Sequence, residues 1–129
     1  MTITAFQSPV SGPWPLGMIT VATSGTPIPL NTNVGPQTAN AATHPTVTVR
    51  QLILTGDSDN SGAIYLLRKV QGQIVTKLTT NFIVQVIYPG NTVSVPNGNV
   101  SINSAINPDD YVVDADNNGD KVFVTAITG

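Results

Sequence analysis

The chain has 129 residues, a formal net charge of −2 and no cysteine, which suits one domain with one core and removes disulfide frameworks, thiol nucleophiles and cysteine-based zinc sites together. Charged residues make up 9%, against about 25% in an ordinary soluble domain, and all the acids are Asp, so surface helices lack the Glu and Lys that usually fill their wet face. Arg68-Lys69 is the sole adjacent basic pair, which predicts no nucleic-acid partner, and the apolar runs fall far short of the roughly 20 residues that cross a bilayer, which predicts no membrane partner.

Val, Ile and Thr number 16, 11 and 17. These β-branched side chains suit a pleated, half-buried surface, and the predicted fold class is all-β. Residues 1–49 hold no charged side chain, and seven of the ten prolines lie at or before Pro45. Residues 1–25 lack the positive start and continuous apolar stretch of a secretory signal. Proline is excluded from long helices and central strands, so residues 1–45 read as an extended, uncharged arm that orders by lying on a surface. Phe6, Trp14, Leu16 and Ile19 serve as its apolar anchors, and residues 18–23 as a short strand within it.

Residues 46–129 read as the β-sandwich domain. In residues 46–55, Val47 and Val49 alternate with Thr48 and Arg50, and the phase then slips. That pattern predicts a strand with a bulge at 50–51, or one buried on both faces near its end. Strands follow at 62–69 and 74–77, and the nearly all-apolar FIVQVIY of 82–88 predicts a central strand. Pro89-Gly90 marks a turn and 92–95 a short strand. Asn97-Gly98 is a hairpin signal before a strand at 99–103. Residues 110–114 and 121–128 are predicted to form a last hairpin around Asn118-Gly119. About eight strands at this spacing predict an antiparallel β-sandwich or jelly roll.

The candidate sites each have a plain alternative. Asp114, Asp116, Asn118 and Gly119 match the opening half of a calcium loop, but Thr125 stands where the bidentate Glu belongs. Residues 57–62 (DSDNSG) echo it loosely. Asp, Asn and Gly are also the residues of tight turns, through Asx hydrogen bonds and tolerance of positive φ, and a turn is the expectation for both; no metal site is assigned. His44 is the single histidine, precedes Pro45 and has no charged neighbour in sequence, so neither a general base nor a zinc site is built on it. Asp109 and Asp110 would point to opposite faces of a strand, which does not suit paired-carboxylate chemistry; Asn107-Pro108-Asp109-Asp110 reads as a turn. Trp14, Tyr65, Tyr88 and Tyr111 are too scattered for a sugar-stacking platform and read as packing residues. No catalytic, cofactor or metal residue is predicted, and the chain is not read as an enzyme.

Two stretches, residues 49–62 (VRQLILTGDSDNSG) and 86–119 (VIYPGNTVSVPNGNVSINSAINPDDYVVDADNNG), resemble small virion proteins of tailed bacteriophages, above all capsid decoration (cement) proteins. The Tyr-Pro-Gly-Asn-Thr-Val-Ser-Val-Pro run and the Asp-Ala-Asp…Gly-Asp-Lys-Val end carry the likeness. It implies a structural protein on the outer surface of the capsid, assembled in the host cytoplasm, bound to the major capsid protein and to its own copies as a homotrimer, with no catalytic residues to carry over. The alternative is a phage tail or spike module that binds a receptor or glycan.

Overall fold

The computed structural model describes residues 12–30, 49–96 and 106–128. Within the described residues, eight strands form two antiparallel four-stranded sheets: β1 (Gly12–Val21), β2 (Ile28–Pro29), β3 (Val49–Gly56), β4 (Ile64–Arg68), β5 (Ile83–Ile87), β6 (Thr92–Val95), β7 (Tyr111–Ala115) and β8 (Asp120–Thr128). One sheet has the order β1-β8-β3-β6 and the other β2-β7-β4-β5. First pairs with last, second with seventh, third with sixth and fourth with fifth. A single long hairpin rolled around a core has this nesting, and it is the topology of an eight-stranded jelly roll. Of the two predicted architectures, the strand order selects the jelly roll. Among the described residues, helical structure is confined to two single 3-10 turns, Thr80–Phe82 and Pro108–Asp110.

The main core lies between the sheets. Ile19, Val21, Leu52, Leu54, Ile64, Leu66, Ile87, Val113, Val122 and Val124 are all fully buried there. The alternation in β3 and β8 sends Leu52, Leu54, Val122, Val124 and Ala126 inward, while Thr55, Phe123 and Thr125 face out. A second, smaller cluster forms on the outer face of the β2-β7-β4-β5 sheet. Residues 69–82, between β4 and β5, lie over Leu67 and Val112 there, with Val75 buried and Val70, Phe82 and Ile83 packed alongside. This roof explains why β7 is buried along its whole length.

Several predicted features take their expected form. The register of β3 against β8 shifts between Val49 and Gln51, the bulge read from the slip in alternation. Pro89-Gly90 turns the chain, with Gly90 at φ 77° and the Asn91 N–H donating to the Tyr88 carbonyl; glycine occupies that positive φ without strain.

Four expectations are corrected. The division into an arm over 1–45 and a domain over 46–129 does not hold for residues 12–30, which supply β1 and β2 and bury Leu16, Ile19, Val21 and Leu30. The prolines are accommodated because β1 and β2 are edge strands. Pro13 and Pro15 are two apart, so their missing N–H groups fall on the same side of the strand, away from β8. Phe6, the remainder of the predicted arm, His44 and the Asn97-Gly98 hairpin with the strand at 99–103 lie outside the described residues. Residues 82–88 supply an edge strand, β5, and not a central one. Their apolar content is used on both faces, Ile87 in the main core and Phe82 and Ile83 under the roof. Residues 74–77 form no strand: an isolated bridge joins Val70 and Gln73, and turns carry the chain on to Thr80. Finally, β7 and β8 are not a hairpin, because they belong to different sheets and residues 116–119 arch from one sheet to the other.

Candidate interaction surfaces

The arch between β7 and β8 brings both calcium-like motifs to one end of the sandwich. Asp114, on β7, is completely buried. Its Oδ1 accepts from the Gly25 and Ala115 N–H groups, both at 2.8 Å, and its Oδ2 accepts from the Lys77 N–H at 2.8 Å. Asp120, also buried, accepts from the Ser61 and Gly62 N–H groups at 3.0 Å each. Asp116 is exposed and accepts from the Tyr65 hydroxyl at 3.0 Å and the Ala63 N–H at 3.3 Å. Asn118 Oδ1 accepts from the Ser24 N–H at 2.8 Å. Asn60 exchanges two hydrogen bonds with the Lys121 backbone, imitating a strand neighbour.

These side chains therefore join loops. Asp114 ties the β1–β2 turn and the roof to β7, and Asp120 holds the loop after β3 against the start of β8. The Lys77 ammonium lies among acceptors and donates to Ser24 Oγ and to the carbonyls of Ala115 and Asp116. Gly62 sits so close to the arch that a Cβ there would come within 2.6 Å of Asn117 Nδ2 and 3.0 Å of Asp116 Cβ. Burial first, and then the hydrogen bond to Asp116, raise the Tyr65 phenol above its ordinary pKa. Among the described residues no group of three or more His, Cys, Asp or Glu side chains is placed to hold a metal ion.

The other sequence candidates are dispersed. Asp109 and Asp110 lie on the 3-10 turn before β7, where Asn107 Oδ1 accepts the Asp109 N–H. The Arg68 guanidinium stands 5.9 Å from the centre of the buried Tyr111 ring, a cation–π distance. Tyr88 follows β5 and is 59% exposed. Trp14 occupies a position on β1 opposite Ala126.

Among the described residues, the exposed large apolar side chains are Val84 and Tyr88 along and after β5 and two pairs that hydropathy alone does not mark as exposed. On the roof, Ile74 and Leu78 are 81% and 82% exposed while Val75 between them is buried. The backbone under them is pinned by Lys77 N–H to Asp114, Thr76 N–H to Thr79 Oγ1 and Leu78 N–H to Thr76 Oγ1. On the opposite side of the molecule, Met18 and Phe123 are register partners on β1 and β8 and are 40% and 49% exposed. The period-2 rule places Phe123 outward once Val122 and Val124 are inward. No such rule reaches Ile74 and Leu78, which lie outside regular structure.

Comparison with protein-family models, curated proteins and solved structures finds no match for this chain.

Proposed function

We propose that the chain is a structural virion protein that binds the outer face of a capsid shell and stabilises it through protein–protein contacts, as a decoration protein does. The observation that carries this reading is the pair Ile74 and Leu78, two large aliphatic side chains left almost wholly in water on a segment whose backbone is fixed from below. Burying each in a partner contributes about 1.5–3 kcal/mol, and little ordering entropy opposes it because the backbone is already held. The sparse charge, at 9%, leaves few hydrated groups to strip on docking, and jelly rolls recur in capsid proteins, a fold-level analogy that supports the reading without specifying a partner. The sequence likeness to decoration proteins points the same way.

The test is to add the purified chain to particles lacking it. Wild-type protein should saturate the shell, with hundreds of copies per particle on the order expected for a lattice of repeated sites. The double variant Ile74→Ser, Leu78→Ser should keep its melting temperature, since exposed substitutions change stability by about 0.5 kcal/mol or less, and lose occupancy. Full occupancy by the variant removes the roof as the attachment surface. Only a handful of copies per particle, with signal on a glycan array, would favour the second reading, a tail or spike module, for which the exposed Tyr88 beside Pro89-Gly90 is the available aromatic.

A further inference from the structure

The two outward sheet faces are finished differently. The β2-β7-β4-β5 face receives its own roof, residues 69–82, and buries a second apolar cluster beneath it. On the outward β1-β8-β3-β6 face no buried cluster forms among the described residues, and Met18 and Phe123 stand exposed side by side on the edge strand β1 and its neighbour β8, with Ile127 further along β8 and Ile53 on β3 half-buried. We infer that this face docks a second copy of the chain, sheet against sheet across a twofold axis.

Two features point to a copy of the chain and not to an unlike partner. In a twofold contact each residue near the axis meets its own counterpart, so a charged side chain there would face its like. The strands of this sheet carry only Arg50, Asp120 and Lys121 as charged residues, all at strand ends. Away from those ends the face presents Met, Phe, Ile and hydroxyl side chains, a surface that opposes itself without repulsion. The remaining acids lie in loops, in a 3-10 turn or in the other sheet, so the net charge of −2 is kept away from the contact.

The size also fits. Four strands about 4.8 Å apart and about 26 Å long present about 500 Å², so two copies cover about 1,000 Å² together, the lower end for a specific pair. Flat sheet faces pack about 10 Å apart with interdigitating side chains, and Met18 and Phe123 supply exposed side chains for such interdigitation. The dimer is accordingly weak and concentration-dependent.

Sedimentation of the full chain from about 1 to about 100 µM is the experiment. Wild type should shift from monomer to dimer over that range. Phe123→Lys should weaken pairing by about tenfold or more at unchanged melting temperature, because the ring is already half in water. Met18→Lys replaces it if Phe123→Lys lowers the melting temperature. Leu78→Lys, on the opposite side, should pair as wild type does. A wild-type monomer at the top concentration, a trimer, undiminished pairing in both face variants, or equal loss in Leu78→Lys would each overturn the inference. None of these readouts involves a virus particle, so they stand or fall apart from the shell-binding proposal.

Discussion

Asp114 illustrates how a residue typical of metal loops is used here as a backbone fastener. Its carboxylate is completely buried yet spans three segments through N–H donors from Gly25, Ala115 and Lys77. Asp114→Asn would aim an amide donor at one of these donors and leave a buried N–H without its acceptor, which costs about 1–3 kcal/mol. The expected outcome is a urea midpoint lowered by a corresponding amount; an unchanged midpoint would show that the carboxylate is dispensable. Tyr65 provides the pH-dependent counterpart. Its phenol is held above its ordinary pKa by burial and by the bond to Asp116, so the folded state favours the neutral form. The stability this adds is fully present below the unfolded value of about 10 and is lost as pH rises through the higher folded value. Tyr65→Phe should be slightly less stable than wild type at neutral pH, by about 1 kcal/mol or less for a solvent-accessible hydrogen bond. That gap should close as pH rises above about 10. Parallel stability curves of the two proteins up to pH 11 or so would count against the assignment.

At the scale of elements, β1 is the instructive strand. Its two prolines and a bulge between Pro15 and Gly17 limit it to one neighbour, yet Ile19 and Val21 are completely buried. Ile19→Ala should cost about 2–5 kcal/mol, as for other large-to-small core changes. Deletion of residues 2–44 takes away β1, β2 and four buried side chains and exposes the flank of β8. The truncated chain is expected to lose its cooperative thermal transition; a sharp transition near the wild-type temperature would mean that residues 46–129 fold alone. The roof behaves differently, because its outward residues Ile74 and Leu78 touch little of the core and can be exchanged for polar residues without loss of fold. Gln85, the one polar residue of β5, is also an element-scale feature: its side-chain amide donates to the Ser94 carbonyl at 3.2 Å, joining the edge of one sheet to the edge of the other.

At the scale of the whole molecule, the described residues draw their stability from an intersheet core, a small cluster under the roof, and turn residues that satisfy backbone N–H groups. Carboxylates already engaged by N–H donors have fewer lone pairs to offer a cation. Addition of a chelator is therefore expected to leave the melting temperature unchanged, since a bound ion would stabilise the fold by mass action. A fall of several degrees would identify a cation in the folded protein. The roof pair and the Met18–Phe123 pair lie on opposite outer faces of the sandwich, so the proposed shell contact and the proposed self-contact do not compete for one surface.

Composition and alternation alone determined the all-β class, the irregularity near Arg50 and the turn at Pro89-Gly90, because each depends on local backbone preference and the two-residue period. Which strands become neighbours was decided by tertiary structure. Asn118-Gly119 has the local form of a hairpin turn, yet it arches between sheets, since β8 pairs with β1 and β3 and β7 with β2 and β4. The same holds for β1: proline rules exclude a central strand but cannot reveal that an edge beside β8 is open to residues more than a hundred positions earlier. The exposure of Ile74 and Leu78 was likewise invisible, because an apolar residue outside regular structure has no period to say which way it faces. Only the fold of residues 69–82 over Leu67 and Val112 put Val75 beneath and left its neighbours in water.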